Sequence, residues 1–269
     1  MPEWPEMEHY RQELNKRIQN RTISGITVNR PKSLNVPEEE FRAAVLGAVV
    51  ERVDRRAKQL VFVLSGERYL LLHLMLGGMM VLGTEADKPD RTTQIELHFG
   101  ETALYFIGLR LGYLHLYGKQ GLEAELASLG PEPFDADLTA ARFADMLKTG
   151  KGNLKTCLTD QHWLAGIGNC YSDEICFASG LLPSRRPAAL DEHEAARLYT
   201  SMRSVLTEAL RAGGYMEMPL YDGDERTGGF NELCRVYDRG DEPCVRCGNP
   251  IVFQTLSSRK CFFCGNCQT

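Results

Sequence analysis

The sequence has no apolar run approaching the roughly 20 residues that a membrane-spanning helix needs. It also has no excess of positive charge, no internal repeat and no collagen-like repetition. Each absence removes a class of protein. Without a long apolar run no membrane association is expected. A net charge of −5 gives no global footprint for nucleic acid, so any DNA-binding basic surface must be local. The opening MPEWPEMEHYRQ is too charged for a secretory leader, which makes a cytoplasmic protein the expectation. What is present, 43% apolar and 25% charged residues in a chain of 269, is the composition of a globular protein able to bury a core in two domains.

Cysteine is concentrated at one place. Four of the nine fall in the last 26 residues, as Cys244-Val-Arg-Cys247 and Cys264-Gly-Asn-Cys267 with 16 residues between the pairs. Two Cys-x-x-Cys pairs at that separation are the ligand pattern of a four-thiolate zinc site, each pair placing two sulfurs on one edge of a tetrahedron. A redox dithiol needs only one pair. A saturated four-thiolate site has no open position for chemistry, so one structural zinc is expected, and the hairpin between the pairs holds out Thr255-Leu-Ser-Ser-Arg259-Lys260. Cys157, Cys170, Cys176, Cys234 and Cys261 remain, an odd number that reads as reduced thiols.

Along the chain, Met7, Tyr10, Leu14 and Ile18 make one apolar stripe on a helix over residues 5 to 18, begun by Pro5. Short apolar or alternating runs follow at Ile23 to Val28, Ala48 to Val53, Leu60 to Leu64, Tyr69 to Leu76, Met79 to Leu82, Ile95 to Phe99 and Ala103 to Phe106. Separated by turn formers, they suggest a β-sandwich. Leu129-Gly-Pro-Glu-Pro-Phe134 reads as a linker, after which Leu138 to Leu147 and Leu190 to Ala212 have helical periodicity. Gly213 to Gly229 is rich in turn formers and reads as a mobile loop. The expected fold class is α+β: an N-terminal β-sandwich flanked by helices over 1–133, a helical domain over 134–230 and a four-cysteine zinc hairpin over 231–269.

Within the helical half, Leu154-Lys155-Thr-Cys-Leu-Thr-Asp160-Gln161 runs into Gly166-Ile-Gly168-Asn169-Cys-Tyr171-Ser-Asp173-Glu174. A helix, a tight glycine turn and a second helix with Asn169 at its start would turn exposed amides and a positive helix end toward an anion such as phosphate. An N-cap asparagine in an ordinary helical hairpin explains the same spacing.

In order, the chain carries Pro2-Glu3-Trp-Pro5-Glu6, Arg55-Arg56-Ala57-Lys58, His73 before a glycine turn and Leu129-Gly-Pro-Glu-Pro133. Then come Ala165-Gly-Ile-Gly-Asn169-Cys-Tyr-Ser-Asp173-Glu174, the zinc hairpin with Arg259 and the closing Cys267-Gln268. This succession resembles the formamidopyrimidine-DNA glycosylase and endonuclease VIII family across almost the full length. No single motif decides the resemblance; their order does. It implies a helix-two-turn-helix in the second domain and bifunctional base excision on damaged DNA, by a monomer associated with a bacterial-type nucleoid. Removal of Met1 would leave Pro2 a secondary amine, and α-amino groups titrate near about 8 against about 10.4 for lysine, so it is a nucleophile near neutrality. By resemblance Glu3 transfers protons, and Glu6 and Lys58 support the site. Lys58, His73, Asn169 and Arg259 surround the phosphates of an everted nucleotide, and Lys155, Tyr237 and Arg110 make further DNA contacts. Seen alone, Glu3 would read as a surface carboxylate and His73 as a buried, satisfied histidine.

The chain departs from the family where the vacated space in the duplex is filled. Formamidopyrimidine glycosylases have His-Leu-Gly-Met-Ser-Gly and Asp-Pro-Arg-Arg-Phe-Gly; here stand His73-Leu-Met-Leu76-Gly-Gly78 and Ile107-Gly-Leu109-Arg110-Leu111-Gly112. Leu76 can still act as a wedge, as leucine does in endonuclease VIII, but Leu109 cannot donate hydrogen bonds to an orphaned cytosine. Trp4 and Cys261 are further departures. Two other readings stand beside the glycosylase: a lesion-binding paralog with weakened chemistry, against which Pro2, Glu3 and Lys58 argue, and a zinc-ribbon transcription factor, which leaves the N-terminus unexplained.

Overall fold

The computed structural model describes residues 1–269. They form two compact units, Met1–Ser128 with Ala212–Gly229, and Leu129–Arg211 with Phe230–Thr269. No helix is long and apolar enough to cross a membrane.

In the first unit α1 (Trp4–Ile18) is followed by β1 (Gly25–Val28), α2 (Glu38–Val45), β2 (Val50–Arg56), β3 (Gln59–Leu64) and β4 (Arg68–His73). Then come β5 (Met79–Gly83), β6 (Thr93–Phe99), β7 (Thr102–Ile107), β8 (Tyr113–Gly118) and α3 (Lys119–Leu126). Pro5 suits the first turn of α1, where an N–H has no intrahelical acceptor. The stripe of Met7, Tyr10, Leu14 and Ile18 is fully buried. The strands make two four-stranded antiparallel sheets, ordered β2-β3-β4-β8 and β1-β6-β7-β5. Period-two alternation turns Leu60, Phe62 and Leu64 of β3 and Leu70 and Leu72 of β4 inward, against Ile95, Leu97 and Phe99 of β6 and Leu104 and Phe106 of β7. Phe62 and Phe106 meet edge to face at 6.4 Å. This is the sandwich the alternating runs imply, and Leu122 of α3 packs with Val61, Val63 and Leu71 on the outer face of one sheet.

Three elements, α2, β8 and α3, escape the sequence reading, although the Tyr-Leu-His-Leu-Tyr alternation of β8 is a usable strand signal. The run Tyr69 to Leu76 is not one strand. It ends at His73, Met75 takes a left-handed φ of 54°, and a Cβ on Gly78 would lie 2.1 Å from the Leu74 carbonyl. That turn lifts Leu76 off the sheet.

The stretch from Gly213 to Gly229 is irregular, yet it is fastened rather than loose. Leu220 is buried in the sandwich core and its carbonyl accepts the Leu82 N–H at 2.6 Å. Tyr10 donates to the Met218 carbonyl at 2.8 Å, and Arg17 stacks 3.6 Å from the Tyr221 ring centre. These ties return Ala212–Gly229 to the first unit. A division that gives all of 134–230 to one domain cuts across that return.

The second unit contains α4 (Ala140–Thr149), α5 (Leu154–Thr159), α6 (Asn169–Ser179), α7 (Glu192–Arg211), β9 (Val252–Leu256) and β10 (Arg259–Phe263). Asn153 caps α5 by accepting the Thr156 N–H at 2.9 Å, and Gly180 ends α6 at a left-handed φ of 71°. β9 and β10 are the hairpin expected between the cysteine pairs, with Ser257 and Ser258 both at positive φ as a tight two-residue turn requires.

Phe62→Ala should cost roughly 3–5 kcal/mol, the usual range for an aromatic core truncation. Urea unfolding measures it; an unchanged midpoint would contradict the packing of the two sheets on this ring.

Candidate functional site

The head of α1 places two carboxylates out of water. Pro2 is buried, Glu3 is 2% exposed and Glu6 1%. Such burial is costly unless donors replace the lost water. Glu3 is the N-cap, and Glu6 closes a capping box by accepting the Glu3 N–H on Oε2 at 2.8 Å. Its other oxygen accepts the Tyr215 N–H at 2.8 Å. Gly214 makes that approach possible, since a Cβ there would come 2.2 Å from Glu6 Oε1. Glu6 is therefore a positioning group, and it fixes Glu3 next to Pro2.

Lys58, also buried, lies in the turn between β2 and β3, where Ala57 takes φ 53° and its carbonyl accepts Arg55 Nη1 at 3.2 Å. Arg55 in turn donates to Glu8 at 3.0 Å and covers the Trp4 ring at 4.8 Å. Trp4 thus has a structural account: it is the platform on which Arg55 joins α1 to the Lys58 turn. His73 closes β4, facing Gln59 of β3 and Tyr113 of β8 in register. Burial, then the Lys58 charge, hold its pKa down to about 4, so the ring is neutral near pH 7; its buried Nε2 has no partner.

Leu76 and Leu111 are 68% and 64% exposed. With Arg91, Gln94 and Arg110 they line a pocket of about 640 Å³. Leu109 behaves differently. Its side chain is buried in the sandwich core, its N–H donates to Gln94 Oε1 at 3.1 Å, and its carbonyl accepts Arg30 Nη1 at 3.1 Å. The leucine that replaces the family arginine has gone into the core and presents nothing to a base. Neither Arg30 nor Gln94 carries a motif that sequence reasoning could have used.

In the second unit Gly168 is the N-cap of α6 and Asn169 its first helical residue, so Asn169 does not serve as the ordinary cap. Its buried Oδ1 has no partner. Lys155 requires correction as a DNA contact. Its side chain is fully buried, and Nζ is bound to Asp173 Oδ1 at 2.7 Å and to the Asn169 carbonyl at 3.0 Å. A buried ammonium must be paired, and here both its partners are internal, so Lys155 positions Asn169 instead of meeting a ligand. Asp173 also accepts the Phe262 N–H at 3.1 Å and faces the Cys261 thiol at 3.6 Å. Cys261 thereby finds its role, as a weak donor fastening β10 to α6. Glu174 accepts the N–H groups of Arg235, Val236 and Tyr237 at 2.9–3.0 Å, which fixes the segment bearing Tyr237. The Tyr237 ring meets Phe262 of the hairpin at 5.5 Å. Two acids in a helix that also carries Cys170, Tyr171, Ile175, Cys176 and Phe177 were the legible sign of this arrangement. Arg259 is exposed at the start of β10, beside the hairpin turn.

The sulfur atoms of Cys244, Cys247, Cys264 and Cys267 all lie within 4.8 Å of one another, with Cys247 and Cys264 at 3.5 Å and Cys244 and Cys267 at 3.9 Å. None of the nine cysteines is in a disulfide. A tetrahedral ion with metal–sulfur bonds of about 2.3 Å sets its sulfurs about 3.8 Å apart, so these four residues fit a four-thiolate ion. Phe177, Val236, Ile251 and Phe262 pack around them. Gln268 accepts the Cys264 N–H and donates to the Leu181 carbonyl, both at 2.8 Å.

Residues 1–113 match the formamidopyrimidine-DNA glycosylase N-terminal domain, and residues 129–218 the formamidopyrimidine-DNA glycosylase H2TH domain. The chain is 36% identical over 274 residues to the formamidopyrimidine-DNA glycosylase of Listeria monocytogenes serotype 4b (strain F2365), covering all of both chains. It is 34% identical over 269 residues to that of Carboxydothermus hydrogenoformans, again over both full lengths. Among solved structures, a Lactococcus lactis FPG mutant in complex with a Fapy-dG containing DNA superposes with a TM-score of 0.92 at 27% identity over all of both chains. The Lactococcus lactis Fpg complex with an abasic site containing DNA does so with a TM-score of 0.92 at 27% identity over 99% of each.

Lys155→Met should destabilise the chain by roughly 3–5 kcal/mol, because Asp173 is left buried and unpaired; chemical denaturation tests this, and a cost near zero would deny the pair its place in the fold. For His73 the sign follows from its depressed pKa. Between about 4 and the ordinary 6.5 the unfolded chain binds a proton that the folded one refuses. Its contribution is complete above pH 6.5 and is lost as pH falls toward 4, so His73→Gln should flatten the acid side of a thermal-midpoint profile in that window.

Proposed function

The chain belongs to the formamidopyrimidine-DNA glycosylase family, and on that premise we propose that it excises an oxidised base from DNA and then cuts the strand itself, with Pro2 as nucleophile and Glu3 as the proton-transfer group. The observation that carries the reading is a proline followed directly by a carboxylate kept out of water and held in place by a capping box.

With Met1 removed, the Pro2 nitrogen attacks C1′ of the damaged nucleoside. The C–N bond to the enzyme forms as the glycosidic bond breaks, and the base leaves with that electron pair and takes up the proton that the Pro2 N–H gives up. Glu3 protonates the sugar ring oxygen, which opens the ring to a Schiff base. Loss of a C2′ proton then expels the 3′ phosphate by β-elimination, and a second elimination can release the 5′ side. Glu6 accepts backbone donors throughout and keeps Glu3 in register. Lys58, His73, Arg110, Asn169, Tyr237 and Arg259 are the proposed donors to the DNA backbone, against an eversion cost of a few kcal/mol. Leu76 serves as the wedge. The solved Lactococcus lactis complexes with Fapy-dG and abasic DNA support damaged DNA as the substrate. With Leu109 in the core, discrimination in favour of cytosine opposite the lesion is not expected.

The four thiolates are proposed to hold one zinc ion, which supplies no chemistry to the reaction and fixes the hairpin that presents Arg259.

Borohydride trapping on duplexes carrying an abasic site, 8-oxoguanine or an oxidised pyrimidine tests the proposal directly, and an adduct mapped to Pro2 is the expected result. Pro2→Gly and Glu3→Gln should abolish strand cleavage and leave affinity for an abasic duplex within a few-fold, as expected for interactions made only in the reaction. Cleavage at the wild-type rate by Glu3→Gln would remove Glu3 from the mechanism. Arg259→Ala should weaken binding about tenfold or more, the scale of one charge-assisted hydrogen bond, and stripping the metal should reproduce that loss. Tight abasic binding with no adduct on any substrate would instead favour the lesion-binding paralog.

A further inference from the structure

Three side chains form a row across one sheet. Gln59 of β3 is the register partner of His73 of β4, which is the partner of Tyr113 of β8. The Gln59 carboxamide reaches over His73 to the Tyr113 hydroxyl, with Nε2 and Oη 3.0 Å apart. The Tyr113 ring stands edge-on to the imidazole at 5.7 Å. Two buried polar atoms of this row have no partner, Gln59 Oε1 and His73 Nε2.

The two ends of a carboxamide differ only in one oxygen and one nitrogen of similar size, so their assignment follows from the hydrogen bonds they make. With Nε2 donating to Tyr113 Oη, a buried acceptor is stranded at Oε1. Turned over, Tyr113 Oη donates to Oε1 and an N–H takes the unfilled position. The burial that pushes the Tyr113 pKa up to about 12 keeps that hydroxyl proton in place. The turned amide and a neutral imidazole protonated on Nε2 then present two N–H donors on neighbouring strands, and donors held out of water are complete only when an acceptor arrives. The Lys58 turn leads directly into Gln59, so the acceptor that suits the place is an anion.

We infer that Gln59, oriented by Tyr113, is a further phosphate-positioning residue: its Nε2 and that of His73 donate to one phosphate oxygen of bound DNA. This rests on the DNA-glycosylase reading above. Gln59→Glu separates the roles, because a glutamate still accepts from Tyr113 Oη and keeps the internal bond while losing the N–H and adding a repelling charge.

The test is a binding titration with a duplex bearing a tetrahydrofuran abasic analogue, for the wild type, Gln59→Glu, Gln59→Lys and Tyr113→Phe, with thermal midpoints alongside. Gln59→Glu should bind about tenfold or more weakly at an unchanged midpoint, as for loss of a hydrogen bond to a charged group. Gln59→Lys, which restores a donor, should recover most of the affinity, and Tyr113→Phe should lose part of it. Wild-type affinity in both Gln59→Glu and Tyr113→Phe would overturn the assignment and leave the glycosylase reading intact. Failure of the wild type to bind the duplex would overturn both.

Discussion

A carboxylate removed from water must be given donors, and this constraint organises both halves of the molecule. At the head of α1, Glu6 receives the N–H groups of Glu3 and Tyr215. In α6, Asp173 receives Lys155 and Phe262, and Glu174 receives three successive backbone amides. Unsatisfied, each would cost several kcal/mol; satisfied, each is worth little net stability but permits only one arrangement of the chain around it. Such groups specify geometry more than they add to stability.

The consequence is that the residues proposed to react or to face DNA are set by buried polar neighbours. Glu3 is placed by Glu6, Asn169 by Lys155, the Lys58 turn by Arg55 on its Trp4 platform, and the hairpin with Arg259 by Asp173 together with the cysteine cluster. Loops and short hairpins lack enough apolar contact to hold themselves, so their precise placement is borrowed from buried polar bonds and the cluster of four cysteines. The segment Ala212–Gly229 is the clearest case: it has no regular structure, and Glu6, Tyr10, Leu82 and Arg17 give it one position.

Much of this was legible in the sequence, and what was legible has a common character. Apolar periodicity marked α1 and most strands, because a repeat of 3.6 or 2 is imposed by the local backbone. The Cys-x-x-Cys spacing marked the cluster, because two ligands on one turn are a local geometry. Elements whose hydrophobic pattern is short or mixed with aromatics and histidine, such as β8 and α3, passed unread. So did the end of the Tyr69–Leu76 run, where a turn closed by Gly78 and Met75 overrides apolar continuity.

The sequence by itself determined the helices, the sandwich strands, the four-thiolate cluster and the succession of motifs that marks the family, since each is carried by residues near one another along the chain. Only the tertiary structure decided that Lys155 is an internal counter-ion, that Leu109 lies in the core, that Trp4 and Cys261 support a turn and a hairpin, and that 212–229 belongs with the sandwich. The physical reason is the same in each case. Whether a charged or apolar side chain meets solvent, a ligand or another side chain depends on partners tens of residues away, and burial, not residue type, then sets what it can do.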